Sequence, residues 1–288
     1  MWRWTVRKLP VLFIIILLLI IIDVNPIFAD VKIEGVPLPA EVEAKAYVIK
    51  KDKNGLWEKT LIIEFPKKRR VLSTIDGFME VKAVANHSAH PEIWKKVCEE
   101  KKTKEEKGGK MYIREVKQKI AKHLGIAPEQ IAMLATAADM DNRAVVVKEF
   151  KPFVVVALVT AGAKTNALRT GVDEGKYIER MEPQGTVNII LLTNAQLTDG
   201  AMARAIITAT EAKTAAFQDL NVPSSYTKGA QATGTGTDNI IVVTGTNSPR
   251  VSYTGGHSKI GELIGKGVYE AVVDALKKQN GFEMLKQR

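Results

Sequence analysis

Residues 42–50 and 56–65 are rich in apolar and β-branched side chains, and the polar stretch 51–55 between them closes on Asn54-Gly55. Asn-Gly supplies the positive backbone angles of a tight turn, so this pattern predicts a β-hairpin. Residues 70–73 read as a third strand, and Asp76-Gly77 turns the chain into another extended stretch at 78–86. Pro91, well tolerated in a first helical turn, opens a helix with Trp94 and Val97 on one side. A charged stretch at 101–110 follows, and Gly108-Gly109 within it reads as a break. Ile113, Val116, Ile120 and Leu124 then recur at helical spacing until Gly125 stops the helix.

The chain next turns strongly β. Residues 130–137, 144–150 and 153–160 are apolar and β-branched, with Asp141-Asn142 as a turn and Pro152 where a strand start tolerates it. A small, polar loop at 161–171 and a charged, exposed stretch at 172–184 lead to a buried strand at 186–193. A long helix at 200–220, a strand at 239–244 and a last helix at 258–278 complete the pattern. Strands this continuously apolar are buried on both faces. Strands and helices mix without strict alternation and without internal repeats. The chain therefore reads as α/β, or α+β: a mixed β-sheet flanked by helices, in a single main domain over residues 30–288. The segment 30–66 is either an extra hairpin of that domain or a small subdomain.

The first 29 residues differ in kind. Arg3, Arg7 and Lys8 precede an apolar run at 11–22, and Ala29 offers a small residue at the exit. The run is about a dozen residues, short of the roughly twenty that span a bilayer. A secretory signal peptide is expected, with an uncleaved membrane anchor as the alternative. Either places the domain outside the cytoplasmic membrane. The net charge of +10 lies mostly in the first half, where lysines alternate with glutamates and lack interleaved aromatics. That describes a solvated helix face, not a nucleic-acid surface. One cysteine, Cys98, excludes an intrachain disulfide and a cysteine zinc cluster.

Chemistry concentrates between residues 206 and 238. On the long helix, Glu211 and Lys213 stand among alanines and threonines, including Thr214. They are either plain surface charges or the wall of a polar cleft. In Ala232-Thr-Gly-Thr-Gly-Thr-Asp238, the glycines free backbone N–H groups for a ligand oxygen, and the threonines add hydroxyls. The motif lacks the lysine of a phosphate-binding loop and the spacing of a dinucleotide fingerprint. Alone it is equally a turn. His257, at the start of the last helix, is a proton donor, a ligand or a cap. His87 and His90 have the spacing of two metal ligands, but no third ligand is evident, so no metal is expected. There is no nucleophile elbow, which disfavours an ordinary serine hydrolase. Thr233, after Ala232, is a candidate nucleophile only if the chain cleaves itself.

Several blocks, in order, resemble the adenosylcobinamide amidohydrolase family. They are Gly185-Thr-Val-Asn-Ile-Ile190, Leu197-Thr-Asp-Gly-Ala-Met-Ala-Arg204, Thr208-Ala-Thr-Glu-Ala-Lys-Thr-Ala-Ala216, the glycine–threonine motif, and Tyr253-Thr-Gly-Gly-His-Ser-Lys-Ile-Gly-Glu262. Val71-Leu-Ser-Thr74 with Asn86, and Val159-Thr-Ala-Gly-Ala-Lys-Thr-Asn-Ala167, look like earlier blocks of the same family. The resemblance covers residues 71–275. It implies hydrolysis of the amide that joins aminopropanol to the corrin ring, giving adenosylcobyric acid in cobamide (vitamin B12) salvage. The corrinoid is then substrate, and no cofactor is implied. A signal-like start departs from the cytoplasmic setting of the family and suggests processing of scavenged corrinoids before uptake.

Amide hydrolysis needs an activated water, a stabilised oxyanion and a proton for the leaving amine. Residue chemistry within the matched blocks assigns the water to Glu211. It assigns the oxyanion to the backbone of Gly234 and Gly236 with Thr235 and Thr237, and the proton to Lys213 or His257. Asp238 is a further catalytic candidate. Asn86, Asn166, Asn188, Thr214 and Thr233 are expected to bind the corrinoid and its amide arms. The rival readings are a corrinoid-binding protein without catalysis and a self-processing threonine amidase. The expected partner is the corrinoid, with no nucleic acid and a membrane only through residues 1–29 if they stay uncleaved; the sequence leaves the oligomeric state open.

Overall fold

The computed structural model describes residues 31–100, 108–175, 186–246 and 249–284. The signal-like segment, most of the charged stretch after the first helix, and residues 176–185, which include most of the charged stretch at 172–184, lie outside the described residues.

The predicted hairpin is β2 (Lys45–Lys53) and β3 (Leu56–Ser73), preceded by β1 (Val31–Val36). Asn54 and Gly55 both have positive φ, as the turn requires. The expected third strand is the continuation of β3, which bends where its register with β4 (Gly77–Ala89) shifts between Glu64 and Arg69. Before the bend β3 pairs with β2; after it, with β10 (Asn239–Val243); β4 lies on its other side. The hairpin is thus built into the main sheet and is no separate subdomain. From β10 the sheet continues through β8 (Val187–Thr193), β7 (Phe153–Ala161) and β6 (Ala144–Phe150). β5 (Ile131–Thr136) runs parallel to β4, and β10 parallel to β8; the other pairs are antiparallel. This nine-stranded mixed sheet, with β9 (Gln196–Leu197) and β11 (Arg250–Val251) as a small separate pair, matches the expected class.

The sheet curls until its two halves meet. Asn86 on β4 donates to Thr160 Oγ1 on β7 at 2.9 Å, and Asn188 on β8 donates to the Ala135 carbonyl on β5 at 3.0 Å. Neither strand pair is adjacent in the sheet, so these bonds cross its interior. Along β8, Val187, Ile189 and Leu191 point out to the helices, whereas Ile190 and Leu192 point in. Burial on both faces explains the unbroken apolar runs. The interior holds Val48, Leu61, Val84, Leu134, Val156 and Ile241. Outside, α3 (Asp199–Asp219) and α4 (Lys259–Asn280) pack on one half, against Val155, Ala157, Ile189 and Val242. On the other half, α1 (Pro91–Glu100) and α2 (Gly108–Leu124) cover Ile62, Ala85 and Ile131 with Val97, Tyr112, Val116 and Ile120. Gly108 and Gly109 open α2 instead of interrupting the chain.

One end of the sheet is polar. It gathers the C-terminal ends of β4, β5 and β7 and the N-terminal ends of β8 and β10. Ser88, Thr136, Thr160, Thr186 and Asn188 are buried there. The loops that leave this end carry most of the residues singled out above.

Candidate active site

The long helix is capped by Thr198, whose side chain accepts from Ala201 N–H. Ala201, Ala205, Ala209 and Ala216 are buried and let α4 pack closely against α3. Lys213 shares that inward side and is 8% exposed. Two helical positions separate it from Glu211, a rotation of about 200°. Glu211 accordingly lies exposed on the solvent side, with Arg204 and Ile207. It neighbours Thr214 one turn on, and the Thr214 hydroxyl donates to the Thr233 carbonyl at 3.1 Å. The two charges of the helix therefore serve different surfaces.

Lys213 Nζ donates to Asp238 Oδ2. Asp238 also accepts from Thr235 N–H at 3.1 Å, from the Thr235 hydroxyl, and from Val187 N–H at 3.0 Å. Four donors on two carboxylate oxygens leave no lone pair well placed to take a proton from water. Asp238 is the anchor that ties the loop, the start of β8 and Lys213 together. Asp238 is the hydrogen-bond partner of Lys213 found among the described residues, so two of its three N–H bonds remain for a ligand.

The loop's shape follows from its glycines and its staples. A Cβ on Gly234 would overlap both Lys213 Nζ and Asp238 Oδ2, so glycine is required for the ammonium to sit so near the backbone. At Gly236 an added Cβ would meet only Leu168, at an ordinary 3.5 Å. Leu168 and Gly234 form an antiparallel bridge, with Leu168 N–H on the Gly234 carbonyl at 2.8 Å and Thr233 N–H on the Leu168 carbonyl at 2.9 Å. Thr233 Oγ1 accepts from Thr170 N–H at 3.0 Å, and the Thr186 hydroxyl holds the Thr237 carbonyl. Thr235 is buried and spends its N–H and hydroxyl on Asp238, contrary to an oxyanion-binding role. Among the described residues, the N–H groups of Gly234 and Gly236 meet no acceptor. They are the loop's candidates for holding an oxyanion.

The three asparagines lie at the same end, but inside. Asn188 is fully buried, and its amide nitrogen donates to Asn86 Oδ1 and the Ala135 carbonyl, each at 3.0 Å. Two acceptors fix the orientation of that amide. Asn86 and Asn166 are 2% and 1% exposed. Asn86 and Asn188 therefore lock the curled sheet beneath the site and do not offer their amides to solvent.

His257 lies elsewhere. It is exposed at the start of α4, where Ser258 caps the helix by accepting from Gly261 N–H. The other end of α4 reaches the polar end: Gln279 accepts from Asp139 N–H at 2.9 Å and Asn280 from Ala163 N–H at 2.9 Å. His257 is thus at the opposite end of α4 from these bonds, and among the described residues it makes no bond to Lys213 or Asp238. The block around His257 is structural: a Cβ on Gly261 would strike the Gly255 carbonyl, and Thr208 and Thr254 tie that turn to α3. His87 is buried between Thr60 Oγ1 at 2.8 Å and Tyr112 OH at 2.9 Å, with Glu58 accepting from that tyrosine. Burial pushes its pKa down to about 4. Among the described residues no three His, Cys, Asp or Glu side chains converge as a metal site.

Sequence reasoning missed Thr186, Leu168 and Thr170, which shape the loop. Thr186 sits two residues before Asn188, yet nothing local marks its reach to Thr237. Comparison with known proteins bears on the same region. The family model for adenosylcobinamide amidohydrolase matches residues 44–284. An uncharacterized protein of Methanocaldococcus jannaschii is 52% identical over 236 residues, spanning 77% of this chain and 87% of that protein. The adenosylcobinamide amidohydrolase of Methanosarcina mazei is 30% identical over 162 residues, 53% of this chain and 67% of its own. Among solved structures, a protein of Pyrococcus horikoshii aligns over 86% of this chain and 85% of its own, at 13% identity and a TM-score of 0.38.

Proposed function

From the premise that this chain belongs to the adenosylcobinamide amidohydrolase family, we propose that it hydrolyses the amide joining aminopropanol to the corrin ring of adenosylcobinamide. Water adds to the carbonyl carbon, the C–N bond breaks, and the nitrogen leaves protonated; the products are adenosylcobyric acid and aminopropanol. The observation that carries the reading is Lys213, a buried ammonium held by Asp238 against a glycine at the end of the sheet. The carbonyl oxygen would lie between Lys213 Nζ and the N–H groups of Gly234 and Gly236, where developing negative charge is stabilised most. Lys213 then gives the leaving nitrogen its proton. Glu211 faces away from Lys213, so it acts from the outer rim of the loop, past Thr214 and the Thr233 carbonyl, and activates the water from there. Asp238 positions Lys213, and His257 takes no part.

Incubation with adenosylcobinamide followed by mass spectrometry tests this. Loss of aminopropanol supports the hydrolase. Unchanged corrinoid that co-elutes with the protein supports binding without catalysis, and two fragments on a denaturing gel would point to self-processing. A folded Glu211→Gln protein with an undiminished rate sinks the assignment of the water. The proposed setting is extracytoplasmic, with residues 1–29 delivering the domain. A mature N-terminus at Asp30 in protein recovered from cells is the expected result, and an unprocessed chain in a soluble cytoplasmic fraction would refute it.

A further inference from the structure

The site has two neighbouring loops whose tips its chemistry does not use. The chain leaving α3 runs out through Pro223, turns, and returns at Gln231, these two residues forming a bridge. Across the turn, Ser224 N–H bonds the Ala230 carbonyl at 2.8 Å. The Gln231 amide fixes the base of this excursion to the end of α3, 2.7 Å from the Gln218 carbonyl. Three residues on, the same strand of chain becomes the Gly234 cradle of Lys213. The second loop, 167–173, is fastened to the first. Asp173 accepts from the Ser224 hydroxyl at 2.6 Å, from the Thr227 hydroxyl, and from Arg169 N–H at 2.6 Å. The Ala167 carbonyl accepts from Ser225 N–H at 2.8 Å.

These bonds are polar, but the clasp presents apolar surface. Val172, adjacent to Asp173, is 54% exposed, and Tyr226, between the two residues that hold Asp173, is 40% exposed. Single exposed apolar residues are ordinary. Two on loop tips cross-linked through Asp173, one of them on the chain that leads into Gly234, offer a surface whose backbone is already ordered. Such a surface loses little entropy when a ligand settles on it. Tyrosine adds broad, rigid contact area.

Resting on the hydrolase reading, we propose that Val172 and Tyr226 are the platform for the corrin macrocycle, the apolar ring lying across the clasp while its amide arm reaches Lys213. They determine specificity for a large ring-bearing amide, and take no part in bond breaking. The full chain is titrated with adenosylcobyric acid, which has the ring but no scissile amide, and binding is followed by visible absorbance. Replacing both residues, Tyr226→Ala with Val172→Ser, raises Kd about 3- to 10-fold, the range of one aromatic contact. Tyr226→Phe, which keeps the ring, raises Kd less than the double replacement does. The KM for adenosylcobinamide rises in parallel, with kcat within about twofold. An unaltered Kd in a double variant of normal thermal midpoint overturns the platform, as does a wild-type chain that binds no corrinoid. A wild-type chain that binds corrinoid without cleaving adenosylcobinamide removes the hydrolase reading alone, and Kd still decides the platform.

Discussion

At Gly234 a single hydrogen atom in place of a methyl group separates a working cradle from a collision. Gly234→Ala puts a carbon where Lys213 Nζ and Asp238 Oδ2 now lie, so the ammonium must move. The expected loss in kcat is on the order of 100-fold, comparable to losing one oxyanion donor, with the fold retained by circular dichroism. Gly236→Ala, facing Leu168 at an ordinary distance, is expected to change kcat by less than about tenfold. Lys213→Ala removes both the oxyanion partner and the proton source. Its loss exceeds that of Gly234→Ala, and added primary amines are expected to restore part of the rate. Asp238→Asn keeps the shape but surrenders the charge that holds Lys213. It is expected to lower kcat with little effect on KM, because the residue does not touch substrate. Thr233 and Thr235 were legible as polar, but their hydroxyls face inward as staples.

At the level of elements, β4 and α2 share a buried titratable group. His87 lies among Thr60, Tyr112 and Glu58, with the lysines at 51 and 119 disfavouring its charge and Glu58 favouring it. Its pKa in the folded chain, about 4, is below the ordinary value of 6.5. The unfolded chain therefore binds the proton first as pH falls. The neutral ring's contribution is complete above about pH 6.5 and lost progressively down to about pH 4, at most about 3 kcal/mol. Urea unfolding across that window is expected to show the decline, and His87→Gln to flatten it. Helix ends are simpler. Thr198→Ala removes the α3 cap and is expected to cost about 1 kcal/mol, read as a shift of the thermal midpoint.

Across the whole molecule, ion pairs bind the N-terminal strands to the far edge of the sheet. Lys59 reaches Asp139 at 2.6 Å and Asp141 at 2.7 Å; Lys50 bridges Asp141 and Glu34; Arg143 closes on Glu34. The hydrogen bond from Lys50, then that from Arg143, holds the Glu34 carboxyl below its usual range. For Asp141 burial pushes upward, yet the bonds from Lys50 and Lys59 prevail and lower it. Lys59 is 9% exposed, and its ammonium also lies 4.7 Å from the Trp57 ring centre. Lys59→Ala leaves the half-buried Asp139 without its ammonium, while the exposed Asp141 keeps Lys50. The expected cost is about 2–4 kcal/mol by denaturant unfolding, against under about 1 kcal/mol for the exposed Lys266→Ala.

Hydrophobic period, turn residues and caps act over a few neighbouring positions, and that is the range over which the sequence decided this protein. Strands, helices, the hairpin turn at Asn54-Gly55 and the mixed class were legible because each is set by local spacing. The order of blocks pointed to the family for the same reason: it is a linear property. The curl of the sheet is not linear. It joins Asn86 to Asn188 across 102 positions, while the parallel pairing of β8 with β10 brings Thr186 to Thr237 across 51. No local pattern encodes those separations; they come from β3 bending and changing partners midway, and from both sheet faces seeking cover. That packing turned Lys213 inward and left Glu211 outside. It buried the asparagines as struts and sent His257 to the far end of α4. The chain carried the reagents for a polar site, and only the closing of the sheet selected which of them meet.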